Sequence, residues 1–287
     1  MKVFRAIKGD KIYTFFTVNF RTFQTEYDPI QVLLKHFYGE KISGTGINID
    51  LESLFLRFKT DEYHLIKPLD PPEIWGAGIT YEISKERYSE ENVAKIGSKS
   101  IYQLVYESER PELFFKATSQ RCSGPLEPIS IRSDSNWTLP EPELGVILSS
   151  KGDILGYTIL NDVSARDIES ENPLYLPQAK IFNGCCAFGP VVVTSDELVD
   201  PYSLNITLTI YRYNSIICHK TSSTSKMKRK IEEQVRYLIR NNTIPNGCLL
   251  MTGTGIPLGR EDALKEGDIV EIQIDQIGRL VTPVLKI

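Results

Sequence analysis

Short β-rich runs, alternating apolar and polar up to about Leu69 and bounded by Gly, Pro, Asn or Asp further on, dominate the chain. That patterning predicts strands rather than helices. Strands are expected in residues 11–18, 144–148, 154–160, 190–194, 204–211 and 269–274. Three stretches break the pattern. In residues 30–38, Val32, Leu33, His36 and Phe37 share one helical face, and residues 85–106 predict a helix interrupted near Gly97. Residues 226–241 place Met227, Ile231, Val235, Leu238 and Ile239 on one side, after a Ser/Thr run suited to N-capping. Strands and helices do not alternate regularly, which excludes a doubly wound parallel sheet. The expected class is α+β with a rolled, mixed sheet.

A proline cluster at Lys67-Pro-Leu-Asp-Pro-Pro72 can continue neither a helix nor a central strand. It marks the expected division into a small N-terminal domain, residues 1–70, and a larger β-rich domain, residues 71–287.

Composition narrows the function classes. With 33 basic against 37 acidic residues, the formal charge is −4, and no basic stripe interleaved with aromatics offers a nucleic-acid surface. No apolar run approaches the roughly 20 residues that a bilayer requires, and Lys8, Asp10 and Lys11 interrupt the first twenty residues, unlike a secretory signal. The expected location is cytoplasmic. Five cysteines without CxxC spacing argue against a disulfide framework or zinc ribbon, and the adjacent Cys185 and Cys186 read as small buried side chains.

The candidate chemistry lies in carboxylates. Glu141 and Glu143 sit two apart in Leu139-Pro-Glu-Pro-Glu-Leu-Gly-Val-Ile-Leu, so a strand directs both to one face. Apolar residues follow at once, which carries the pair toward the core. Buried like charges need a compensating cation, and oxygen ligands suit a hard divalent ion. Asp162 ends another apolar run and can reach the same place. Residues 161–180 hold Arg166, Asp167, Glu169, Glu171, Gln178 and Lys180, and read as a loop over a site.

Together these residues resemble the fumarylacetoacetate hydrolase superfamily, whose signature runs E-x-E, N-D-x-S-x-R, Lys, T-G-T. Here the matching positions are Glu141-Pro-Glu143, Asn161-Asp-Val-Ser-Ala-Arg166, Lys180 and Thr252-Gly-Thr254. The resemblance extends from about Ile74 to the C-terminus. Within the superfamily, residues 132–143 and 167–180 are most similar to dehydratases of 2-dehydro-3-deoxy pentonates. The resemblance implies removal of water from 2-dehydro-3-deoxy-D-arabinonate to give 2,5-dioxopentanoate, with Mg²⁺, or Mn²⁺ or Ca²⁺, held by Glu141, Glu143 and Asp162. It also implies a homo-oligomer, dimer or tetramer.

By the same resemblance Lys180 stands beside the metal and moves protons, and Thr254 holds the substrate carboxylate. Lys116, in an F-x-K element, lines the pocket. Tyr81 is retained in Gly78-Ile-Thr-Tyr-Glu-Ile-Ser84, whereas hydrolytic members carry G-x-N-Y-x-x-H. Thr80 and Ser84 replace the Asn and His, which favours a lyase over the alternative, an acylpyruvate-type hydrolase or decarboxylase. Glu112, ahead of an apolar pair, is the candidate second acid–base group. Arg166 is expected either to bind substrate or to anchor carboxylates.

Overall fold

The computed structural model describes residues 1–83 and 99–287 together with the short strand Lys95–Ile96, the side chains of residues 95, 96, 99 and 100 excepted. Ser84 and residues 85–94 of the expected helix lie outside the described residues; Lys95–Ile96 and Lys99–Ser100 are antiparallel strands instead, and among the described residues the helix is confined to Ile101–Glu107.

Among the described residues, two large sheets share one apolar core. The larger has twelve strands. Its centre is built from Cys186–Thr194, Ile154–Asp162, Pro142–Leu148 and Cys248–Thr254, hydrogen-bonded side by side in that order. These strands are buried along almost their whole length, which explains why they read as continuous apolar runs. Beyond Cys248–Thr254 the sheet continues in parallel to Ile74–Gly78 and then antiparallel to Glu112–Ala117. On the opposite side Lys2–Lys8 pairs with Cys186–Thr194, so the hairpin strands Lys11–Val18 and Arg21–Thr25 extend the same sheet.

The second sheet orders Ile129–Ile131, Gly278–Lys286, Ile269–Ile274, Asn205–Arg212 and Ser215–Ser223. Its inward residues Val270, Ile272, Ile274 and Leu280 join Val191, Val192 and Val193 of the first sheet in one core cluster. The α+β, mixed-sheet expectation therefore holds, with the larger sheet open rather than closed into a barrel.

Helices are few and short. Pro29–Phe37 begins where Asp28 accepts from the backbone N–H of Ile30 and Gln31, and Gln31 returns the bond to Asp28 N, a reciprocal cap. The expected helix over 226–241 contracts to a single turn, Thr224–Lys226, and the helix Ile231–Leu238. None of the described helices is long and apolar enough to cross a membrane.

Two readings need correction. Residues 161–180 are not an open loop but contain the helices Arg166–Glu171 and Leu176–Lys180, joined by a turn that the Asn172 side chain caps at Leu174 N. No long-period apolar face announces helices of six and five residues. Cys122 and Cys186, 64 residues apart, are joined in a disulfide. The short strand Cys122–Ser123 runs parallel to Cys186–Thr194 in the register that opposes the two cysteines, a pairing that linear spacing cannot display. Cys185 is buried and free, as expected.

Candidate active site

The centre of the large sheet delivers three carboxylates to one point. Glu141 stands at the threshold of Pro142–Leu148 and Glu143 inside it, while Asp162 ends the neighbouring strand Ile154–Asp162. One oxygen from each lies within 4.8 Å of the others, and all three residues are buried.

Two lysines face the cluster. Lys180 Nζ donates to Glu141 Oε2 at 2.7 Å and to Asp162 Oδ2 at 2.9 Å. It also donates to Ser164 Oγ at 2.5 Å, and Ser164 in turn donates to Glu141 Oε2 at 3.0 Å. Lys116 Nζ lies 2.5 Å from Asp162 Oδ1 and donates to Val163 O at 2.9 Å. Burial alone would drive Asp162 toward the neutral form, but Lys116 and Lys180 override it and hold the carboxyl below its ordinary range. Burial likewise opposes the Lys180 ammonium, yet Asp162, Glu141 and Glu169 keep its pKa well above normal.

Glu143 differs. Its Oε2 accepts from Gly253 N at 2.6 Å, while burial, Asp162 and Glu141 together push its pKa well above the carboxyl range. The cluster thus lacks enough positive charge to keep every carboxylate ionised. A buried set of hard oxygen donors with that deficit fits a divalent ion such as Mg²⁺.

The three carboxylates open into a narrow pocket of about 30 Å³, whose other lining residues include Glu112, Phe114, Lys180 and Thr254. Glu112 comes from Glu112–Ala117, and the period of two sends Glu112, Phe114 and Lys116 to one face. Burial first, then the nearby Glu169 and Glu141 carboxylates, raise the Glu112 pKa to about 7. Neutral glutamic acid is thereby available near physiological pH.

Of the residues expected from sequence, Glu141, Glu143, Asp162, Lys180, Glu112 and Thr254 converge on this pocket. Lys116 reaches it only through Asp162. Arg166 lies behind the wall, 1% exposed, with Nη1 2.8 Å from Glu169 Oε1. Tyr81 is fully buried against Gly255, and its hydroxyl meets no partner among the described residues. Four contributors had no assigned role: Ser164, Glu169, Tyr102 and Phe114. Ser164 could have been found, because the N-D-x-S-x-R signature contains it. In the Thr252-Gly-Thr254 turn that carries Thr254, the Gly253 N–H is taken up by Glu143.

The model of the fumarylacetoacetate hydrolase C-terminal domain matches residues 85–285. The chain belongs to the fumarylacetoacetate hydrolase family. Within that family, it is 54% identical over 288 aligned residues to 2-dehydro-3-deoxy-D-arabinonate dehydratase of Saccharolobus solfataricus, covering 100% of this chain and 97% of the relative. A probable 2-keto-3-deoxyxylonate dehydratase of Haloferax volcanii is 46% identical over 76% of this chain and 73% of its own. Among solved structures, 2-keto-3-deoxy-D-arabinonate dehydratase complexed with magnesium and 2,5-dioxopentanoate superposes with a TM-score of 0.94 at 52% identity, covering 100% of this chain and 99% of the other.

Proposed function

We propose that this chain removes water from 2-dehydro-3-deoxy-D-arabinonate to give 2,5-dioxopentanoate, with Mg²⁺ held by Glu141, Glu143 and Asp162. The observation that carries the reading is the buried three-carboxylate cluster, opening beside Glu112 and Lys180, in a chain 54% identical throughout to a named dehydratase. When bound, the ion supplies Lewis-acid polarisation of a 2-oxo group.

The chain's own groups supply the rest. Thr254 receives the substrate carboxylate. Lys180, whose ammonium the carboxylates hold until a bound cation would take up their charge, is the base for the proton at C3, which the adjacent 2-oxo group renders acidic. Glu112, protonated up to about pH 7, gives its proton to the C4 hydroxyl, which leaves as water. Loss of one hydrogen from C5 and of the proton from its hydroxyl, with protons returned to C3 and C4, then yields the C5 aldehyde. Phe114 sits beneath Lys180, its ring centre 5.4 Å from Nζ, and keeps solvent from that side.

We further propose a cytoplasmic enzyme that assembles as a dimer or tetramer, an assembly that light scattering of the purified protein tests. The functional test is production of 2,5-dioxopentanoate from 2-dehydro-3-deoxy-D-arabinonate with Mg²⁺ and then with EDTA. Product that EDTA abolishes is expected; no product in Mg²⁺ or Mn²⁺ sinks the reading.

A further inference from the structure

Ile79, Tyr102, Glu112, Glu169 and Leu176 line the carboxylate pocket and also an outer cavity of about 440 Å³. They form the neck between the two. Four of these side chains have an evident part in that place: three are apolar or aromatic walls, and Glu112 is the acid described above. Glu169 is the remaining one.

Its setting is specific. Glu169 lies on the helix Arg166–Glu171 with its side chain 11% exposed, and Arg166 fixes Oε1 from behind at 2.8 Å. The other oxygen, Oε2, is buried and meets no donor among the described residues. Burial works against its charge, but Arg166 and then Lys180 outweigh it and keep this carboxyl below the ordinary range. An ionised carboxylate offers only acceptors. A buried acceptor left unmade is costly, so a ligand that brings a hydroxyl donor to the neck gains there what the empty protein forgoes.

Resting on the function above, the substrate's carboxylate and 2-oxo group occupy the inner cluster, and its hydroxylated end points outward. The terminal group at that end is the C5 hydroxyl. We propose that Glu169 determines specificity for this hydroxyl, accepting its hydrogen bond through Oε2, with Arg166 as the positioning residue. The site then selects 2-oxo acids that carry a terminal hydroxyl beyond the leaving one, and rejects those ending in methyl. Sites built to bond a hydroxyl discriminate strongly against analogues that lack it.

The matched analogue is 4-hydroxy-2-oxopentanoate, which keeps the C4 leaving group and replaces the C5 hydroxymethyl by methyl. Its dehydration gives a conjugated 2-oxo-3-enoate, followed by absorbance. The experiment compares kcat/KM for both compounds in the wild type and in Glu169→Ala, with Mg²⁺ affinity measured by calorimetry. The wild type is expected to favour the hydroxylated substrate by on the order of 10² or more. Glu169→Ala is expected to bring that ratio below about tenfold, at unchanged Mg²⁺ affinity, by losing the hydroxylated substrate while retaining the analogue. Should Glu169→Ala fail to fold around the buried charge of Arg166, the double variant Arg166→Met/Glu169→Met replaces the whole buried pair and carries the same expectation. A discrimination ratio left intact in either variant overturns the assignment of Glu169 alone. A wild type that turns over neither compound in Mg²⁺ overturns both this assignment and the function it rests on.

Discussion

The Glu112 carboxylate occupies the space that a side chain on Gly78 would need. The two residues oppose each other in the antiparallel pair of Ile74–Gly78 and Glu112–Ala117, and a Cβ built on Gly78 would fall 2.0 Å from Glu112 Oε2. Gly78→Ala is therefore expected to displace the acid rather than the strand, because the clash is with the end of a flexible side chain. The expected result is a fall in kcat of about tenfold or more, within the range acid catalysis supplies, with Tm nearly unchanged. A variant of full activity would show that Glu112 need not stand where it does.

Lys180 bridges two carboxylates of the cluster. Lys180→Met keeps the length of the side chain and removes the charge. Turnover is expected to fall by about 10³, in line with the loss of a proton-transfer group, while Mg²⁺ binding persists because the three carboxylates remain. Single-turnover kinetics and calorimetry separate the two; loss of Mg²⁺ binding with the activity would assign Lys180 to the metal site instead.

Protonation gives a prediction with a sign. As the proton donor, Glu112 is active in its protonated form, so kcat/KM is expected to decline as pH rises above about 7, and Glu112→Gln to remove that inflection along with most of the rate. Stability of the metal-free protein follows the same direction. Glu112 and Glu143 bind their protons more tightly when folded, so the stability they contribute is complete below their ordinary pKa of 4.5 and is lost as pH rises through the folded values. Asp162 opposes this only at low pH, where its contribution disappears as pH falls through its lowered pKa. Calorimetric scans without metal should show Tm declining from pH 5 toward 8. Saturating Mg²⁺ should recover about 3 kcal/mol at a hundredfold excess over Kd. A flat metal-free profile would count against the strained carboxylate cluster.

Gly253 joins backbone shape to the metal site. Its φ of +92° is one that residues with a side chain rarely adopt, a Cβ would fall 1.9 Å from Thr80 Oγ1, and its N–H holds Glu143. Gly253→Ala is expected to cost about 1–3 kcal/mol of stability and to weaken Mg²⁺ binding together. Weaker Mg²⁺ binding without any fall in Tm would separate the two roles.

Sequence pattern exposed the strands that carry the chemistry because they are either fully buried or strictly alternating. Ile269–Ile274 matches its expected limits, and Pro142–Leu148 and Ile154–Asp162 exceed theirs only at the ends that bear site residues. Period two also places Glu112, Phe114 and Lys116 on one face, although their meeting with Asp162 depends on sheet order. What pattern could not expose was local and short. The helices Arg166–Glu171 and Leu176–Lys180 are held by the wall behind the pocket and carry no amphipathic repeat of their own. For the same reason Glu169 was visible only as one more acid in a polar stretch, since its significance lies in which of its oxygens Arg166 leaves over.

The strand that brings Glu112, Phe114 and Lys116 to the pocket has a hydrogen-bonded neighbour on one side only, Ile74–Gly78, among the described residues. The three carboxylates, by contrast, hang from strands paired on both sides. Heat should therefore loosen the acid-bearing margin before the ion-holding centre. Inactivation would then be a partial and recoverable event, setting in below the melting of the whole and reversed on cooling.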